Sequence, residues 1–141
     1  MGIAAALVEM AARFADLPHE RPAELRALSL ELAAAELHAY EPVLEAQRRG
    51  DPDAVAQALS RAADSPLAIA RAAAEVAELG ADVAARGKKA VKGDAQVGVV
   101  LAEAACRAAG RLGEINLAGQ PDDPRLAELA ELKRRAASVS I

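Results

Sequence analysis

Apolar positions recur at helical spacing along nearly the whole chain, and no stretch keeps the period-two alternation of a strand. One stretch organises the rest. Asp94–Leu117 is apolar on almost every side of a helical wheel, broken only by Gln96, Glu103, Arg107, Arg111 and Glu114. A helix of that kind has to be wrapped by other helices. Its small residues Gly98, Ala102, Ala105, Ala109 and Gly113 recur every three or four positions, which lets neighbouring backbones approach closely. The pattern predicts a central buried helix jacketed by the rest of the chain, with Asp94 capping its start against the helix dipole.

The remaining elements follow from stripes and breakers. Ile3–Leu17 reads as a helix with Leu7, Met10 (with Ala11) and Phe14 on one face and Glu9–Arg13 as an i,i+4 pair. Pro18 ends it. A second helix opens at Arg21-Pro22, with a stripe of Leu25, Leu28, Leu32, Ala35 and Ala39, and Pro42 kinks or stops it because proline lacks the N–H. Gly50, Asp51 and Pro52 end one helix and start the next, which turns Val55 and Leu59 inward. Asp64-Ser65-Pro66 repeats the cap-then-proline start of a helix running to about Arg86, with Ile69, Ala73, Val76, Gly80 and Val83 on one seam. Gly80 costs about 1 kcal/mol relative to Ala in mid-helix, which close helix approach would offset. Gly87–Gly93 is a basic, glycine-bracketed loop, and Asp123-Pro124 starts a last helix over Pro124–Ala137 with Leu126, Leu129, Ala130 and Lys133 on a partly amphipathic face. The fold class expected is all-α: an up-and-down bundle of five or six helices in a single domain, residues 1–141.

Composition sharpens this. Of 141 residues, 53% are hydrophobic, but there is one Phe, one Tyr and no Trp, so alanine carries that share. Alanine favours helix yet buries little, so the bundle must pack tightly, and a second subunit is expected to cover surplus apolar surface. The net charge of −4 argues against a nucleic-acid partner. A lone Cys106 in the buried helix leaves no internal disulfide framework and reads as a small core residue in a reducing compartment. The N-terminus lacks the pattern of a secretion signal, and no apolar run is long enough to span a membrane, so a cytoplasmic protein with no membrane partner is expected.

Several chemistries are disfavoured. His19, His38 and Cys106 have no metal-ligand spacing, so no metal is expected, and neither a nucleophile elbow nor a phosphate-cradling glycine loop is present. Three features remain. In Glu36–Pro42, Glu36 and Tyr40 share a face four residues apart while His38 pairs with Glu41. A carboxylate beside a phenol in a partly dry cleft can exchange protons; alternatively Tyr40 packs at the core rim and Glu36 and His38 are solvated. The Arg86, Lys88, Lys89 and Lys92 group is either an anion holder or a solvated connector. Asn116, the only asparagine, is either a helix-end residue or a ligand contact.

The order of Glu36–Ala46, Ser65–Gly87 and Gly93–Leu117 resembles the formimidoyltetrahydrofolate cyclodeaminase and methenyltetrahydrofolate cyclohydrolase family, over roughly residues 3–118. Members carry an Asp-x-x-Ala-Tyr segment, a Pro-Leu helix, a Gly-Asn loop, a Ser-Asp helix start and an Asn-x-x-x-Asn helix end. Ala39, Tyr40, Gly87, Asp94 and Asn116 match; Glu36 replaces the aspartate, Lys88 the loop asparagine, Gly93 the serine and Leu112 the first asparagine of the helix end. The Gly-rich segment that usually precedes the first helix is expected to be absent, since Met1-Gly2 already lies at that helix. The resemblance implies a dimeric all-α bundle acting on a one-carbon unit carried by a tetrahydrofolate derivative. On the enzyme reading, Glu36, Tyr40 and Asp94 are the expected catalytic residues, and Lys88, Lys89, Asn116 and His38 the expected ligand-binding ones. The alternatives are a non-catalytic helical dimer that binds a small ligand or a partner protein, and a purely structural oligomer.

Overall fold

The computed structural model describes residues 1–139 and 141, and these form seven α-helices and one 3₁₀ turn with no strand among the described residues. The helices are α1 Gly2–Phe14, α2 Glu20–Ala39, α3 Glu41–Arg49, α4 Pro52–Ala62, α5 Asp64–Arg86, α6 Lys92–Asn116 and α7 Pro124–Ser138; the 3₁₀ turn is Lys89–Val91. The all-α bundle matches expectation. Pro42 divides the second helix outright, so α2 and α3 are separate elements on either side of Tyr40.

Helix α6 packs most extensively on α5, then on α1 and α7. Its small residues Ala95, Gly98, Val99, Ala102, Cys106, Ala109, Gly110 and Gly113 are buried. The wrapping is one-sided, however. Val97, Val100, Leu101, Leu112 and Ile115 stand exposed along the opposite side of α6. The same choice is made in α1: Ala4, Ala5, Val8, Ala11 and Ala12 face the core, whereas Met10 and Phe14, expected on the apolar face, are exposed. Small faces turn inward because α1, α5 and α6 meet at a distance that only Ala, Gly and Val tolerate. A Cβ on Gly80 would lie 2.8 Å from Val99 Cγ2 and 3.0 Å from Val8 Cγ2.

The breakers behave largely as read. Gly50 ends α3 in the left-handed region at φ 67°, and Asp51 Oδ1 accepts from the Ala54 N–H at 3.0 Å. Asp123 caps α7 through the Arg125 N–H at 2.9 Å. Two caps differ. α6 starts two residues before Asp94, with Val91 at its N-cap position and no side-chain cap, because the 3₁₀ turn runs straight into the helix. Asp64 is the first residue of α5 rather than its cap, since Ala63 joins α4 and α5 with helical backbone; its carboxylate accepts from Arg125 instead, at 2.7 Å. Val43, Ala58 and Ala62 form a small second core between α3 and α4, with Leu59 against it.

Candidate functional site

The end of α2 and the start of α3 present the polar cluster. Tyr40 is the hinge residue, since Pro42 cannot continue the α2 hydrogen-bond ladder. Glu36 lies one turn earlier, half-buried, and its Oε2 atom is shielded from solvent with no hydrogen-bond partner among the described residues. Tyr40 is 41% exposed, so the phenol is open to a ligand while the carboxylate beside it is partly dry. His38 is exposed and its Nδ1 lies 3.0 Å from Glu41 Oε1, the expected i,i+3 pairing.

Asn116 closes α6, and its Nδ2 donates to the Ala62 carbonyl at 3.2 Å, tying the end of α6 to the end of α4. Asp94 is in the first turn of α6, half-buried, where the helix dipole favours its negative charge. At 1.5 Å per residue, Asp94 and Asn116 are about 33 Å apart along one axis. The basic loop lies with Asp94. Lys88 Nζ donates to the Phe14 carbonyl at 2.8 Å and to Asp16 Oδ2 at 2.5 Å, closing the turn after α1 in which Asp16 has φ 59°. That bond holds the Asp16 carboxyl below its usual range. Lys89 is exposed in the 3₁₀ turn, and Arg86 is bonded to Asp82.

The expected residues therefore fall into two groups. Glu36, His38, Tyr40 and Asn116 lie toward the end of the bundle built from α3 and α4, and Lys88, Lys89 and Asp94 toward the other, beside the C-terminus of α1. One chain by itself does not join them into a single cleft.

Residues outside the expected site also matter here. Arg125 donates to both Asp123 oxygens, to Asp64 and to the Ser60 carbonyl and hydroxyl, locking α4, α5 and α7 together. The bonded guanidinium holds the Asp123 carboxyl at about 2. Glu9 is 8% exposed and bonded to Arg26 at 2.6 Å, which lowers its pKa. Ser65 Oγ is buried and unpartnered among the described residues. Ser65 had a legible signal in Asp-Ser-Pro, Asp123 in Asp-Pro and Glu9 in its i,i+4 spacing from Arg13, whereas Arg125 had none. Burial pushes the Cys106 thiol up, so it behaves as a core side chain and not a nucleophile. No group of three or more His, Cys, Asp or Glu side chains among the described residues is arranged to hold a metal ion, and no described helix is long and apolar enough to cross a membrane.

No curated protein matches the chain. Among solved structures, the crystal structure of formiminotetrahydrofolate cyclodeaminase from Thermotoga maritima is similar, with a TM-score of 0.74 at 23% sequence identity over 97% of this chain and 75% of that one. At that identity the likeness speaks for the helical fold. The family profile described as formiminotransferase-cyclodeaminase matches residues 2–135. With a match across nearly its whole length, on a bundle of the same architecture, the chain belongs to the formiminotransferase-cyclodeaminase family.

Proposed function

We propose that this protein works in folate-dependent one-carbon metabolism, as a cyclodeaminase or a methenyltetrahydrofolate cyclohydrolase acting on a tetrahydrofolate derivative. Besides family membership, the observation that carries the reading is Glu36: a carboxylate oxygen out of solvent, without a partner among the described residues, one turn from an accessible phenol. Such a carboxyl is free to exchange a proton with a ligand, which an ion-paired one is not. In the hydrolytic direction, water adds to the carbon of the methenyl bridge and gives a proton to Glu36. Return of that proton to the departing nitrogen, with loss of the new hydroxyl's proton to solvent, breaks the C–N bond, opens the ring and leaves a formyl group. In the deaminating direction, the folate amine that does not carry the formimino group adds to the formimino carbon and gives its proton to Glu36; return of that proton to the amino group breaks the C–N bond, releasing ammonia and leaving the methenyl bridge. Tyr40, one turn away and open to solvent, assists, and Lys89 draws the anionic glutamate end of the folate.

The working unit in this reading is a homodimer. The exposed residues Val97 to Ile115 run about 27 Å along α6, and Leu101 joins them to an apolar groove between Met1–Ala4, Leu30 and Ile69. A surface of that length and character is typical of an interface. A second copy laid antiparallel along it brings Asp94 and Lys89 of one protomer towards Glu36, Tyr40 and Asn116 of the other.

A second reading, a non-catalytic dimer that binds folate or another small ligand, draws support from Lys88. The lysine in the place of the family's loop asparagine is spent on Phe14 and Asp16. The two are separated by incubating the folded protein with 5,10-methenyltetrahydrofolate and following loss of its absorbance, beside formimino substrate and release of ammonia. Turnover above buffer is expected; calorimetric folate binding without turnover would establish the second reading, and no binding would remove both.

A further inference from the structure

Two buried polar atoms have no hydrogen-bond partner among the described residues, Oε2 of Glu36 and Oγ of Ser65. They belong to α2 and α5, which pack against each other. The two helices run antiparallel: Arg21 near the start of α2 bonds Glu75, whereas Leu32 and Ala33 further on share a groove with Ile69. Four residues beyond Leu32 comes Glu36, and four residues before Ile69 comes Ser65, so each keeps to the same stripe of its helix. That register puts Glu36 and Ser65 at the same end of the α2/α5 contact, the end where Pro66 and Leu67 of α5 are buried.

Leaving a hydroxyl and a carboxylate oxygen dry and unpaired costs the desolvation of each. Their chemistry is complementary to a common third partner. The hydroxyl donates once and accepts twice, and the carboxylate accepts. We propose that Ser65 is a positioning residue for Glu36, the two holding between them one small O–H or N–H species: the water consumed in ring opening or the ammonia released in deamination. The inference rests on the reading of Glu36 as the proton-exchanging group. Ser65 fixes where the small molecule sits, and Glu36 takes or returns its proton. A Pro at the next position suits this task, because Pro66 lies in the first turn of α5, where its missing N–H breaks no helical bond and its ring stiffens the backbone at Ser65.

The test is a kinetic series with the full chain: Ser65→Ala, Ser65→Thr and Glu36→Gln, assayed on 5,10-methenyltetrahydrofolate and on the formimino substrate. Ser65→Ala is expected to lower kcat by about tenfold, with KM changed less than about twofold and the thermal midpoint unchanged; Ser65→Thr, which restores the hydroxyl, should recover most of kcat. Full activity in Ser65→Ala beside an inactive Glu36→Gln would overturn the role of Ser65 alone. Full activity in Glu36→Gln, or no turnover by the parent protein, would overturn the underlying reading and this one with it. Loss of the thermal midpoint with kcat per folded molecule intact would make Ser65 merely structural. A high-resolution crystal structure is the second check: one ordered molecule bonded to both side chains is expected, and separate protein partners for each would overturn the proposal.

Discussion

Val8 occupies the space that a side chain on Gly98 would need. A Cβ built on Gly98 falls 2.8 Å from Val8 Cγ2 and 3.2 Å from the Ala4 carbonyl oxygen. Val8 is stiff at χ1 in a helix, and the carbonyl belongs to the α1 ladder, so neither can retreat cheaply. The same valine methyl is 3.0 Å from a Cβ built on Gly80, so Val8 fills a hole framed by glycines of two helices.

Gly98→Ala should therefore destabilise the protein. Helix propensity alone would favour alanine by about 1 kcal/mol, but overpacking costs about 1–3 kcal/mol. A net loss on the order of 1 kcal/mol in urea unfolding is expected. Gly93→Ala, in the first turn of the same helix with open space around it, should be neutral or stabilising. Equal behaviour of the two variants would show that α1 and α6 are not in close contact.

Arg125→Ala removes the bonds to Asp123, Asp64 and Ser60 at once and leaves the Ser60 carbonyl without its guanidinium partner. The thermal midpoint should fall by on the order of 5 °C. By contrast Arg134→Ala, which loses only an exposed pairing with Glu131 on the same helix, should change it little. A scan of both variants by circular dichroism decides the matter.

The Asp123 carboxyl has its pKa lowered from 3.8 to about 2 in the folded protein, first by its bond to Arg125. A depressed carboxyl contributes stability that is present above the unfolded pKa and is lost as pH falls through the folded one. Asp123→Asn keeps an oxygen to cap α7 but cannot ionise. Its stability deficit relative to the parent should be constant above about pH 4 and should close between pH 4 and about 2. A deficit independent of pH over that range would mean that the charge on Asp123 contributes nothing.

Lys88 and Lys89 are adjacent but differently engaged. Lys88→Ala unties the turn after α1 and should leave folate affinity unchanged while modestly lowering stability. Lys89→Ala should weaken folate binding in calorimetry without touching stability. The reverse pattern would assign the ligand contact to Lys88.

The exposed stripe of α6 makes the dimer testable by one charge. Val100→Glu should give a monomer in light scattering at micromolar concentration, because a carboxylate without a partner is costly in an apolar interface. A parent protein that is itself monomeric would remove the dimer and the composite arrangement of Asp94 with Glu36.

Much of this protein was legible in the order of its residues. Gly50-Asp51-Pro52, Asp123-Pro124 and Pro42 mark helix ends because capping, left-handed backbone and a missing N–H are local properties that need no neighbour. The Ile69–Val83 seam and the close approach at Gly80 were readable for the same reason: a stripe of small side chains at helical period has only one way to be buried. Which apolar face turns inward is not a local property. Met10 and Phe14 form as good a stripe as Ala4, Val8 and Ala11, and only the spacing of α1 against α5 and α6 selects the smaller one. Tertiary structure alone likewise decided that Lys88 binds Asp16, that Asp64 serves Arg125 instead of its own helix, and that Asn116 bonds the end of α4. These are contacts between residues far apart in the chain, set by how rigid helices dock, and the periodicity of a single helix carries no information about its partner's register.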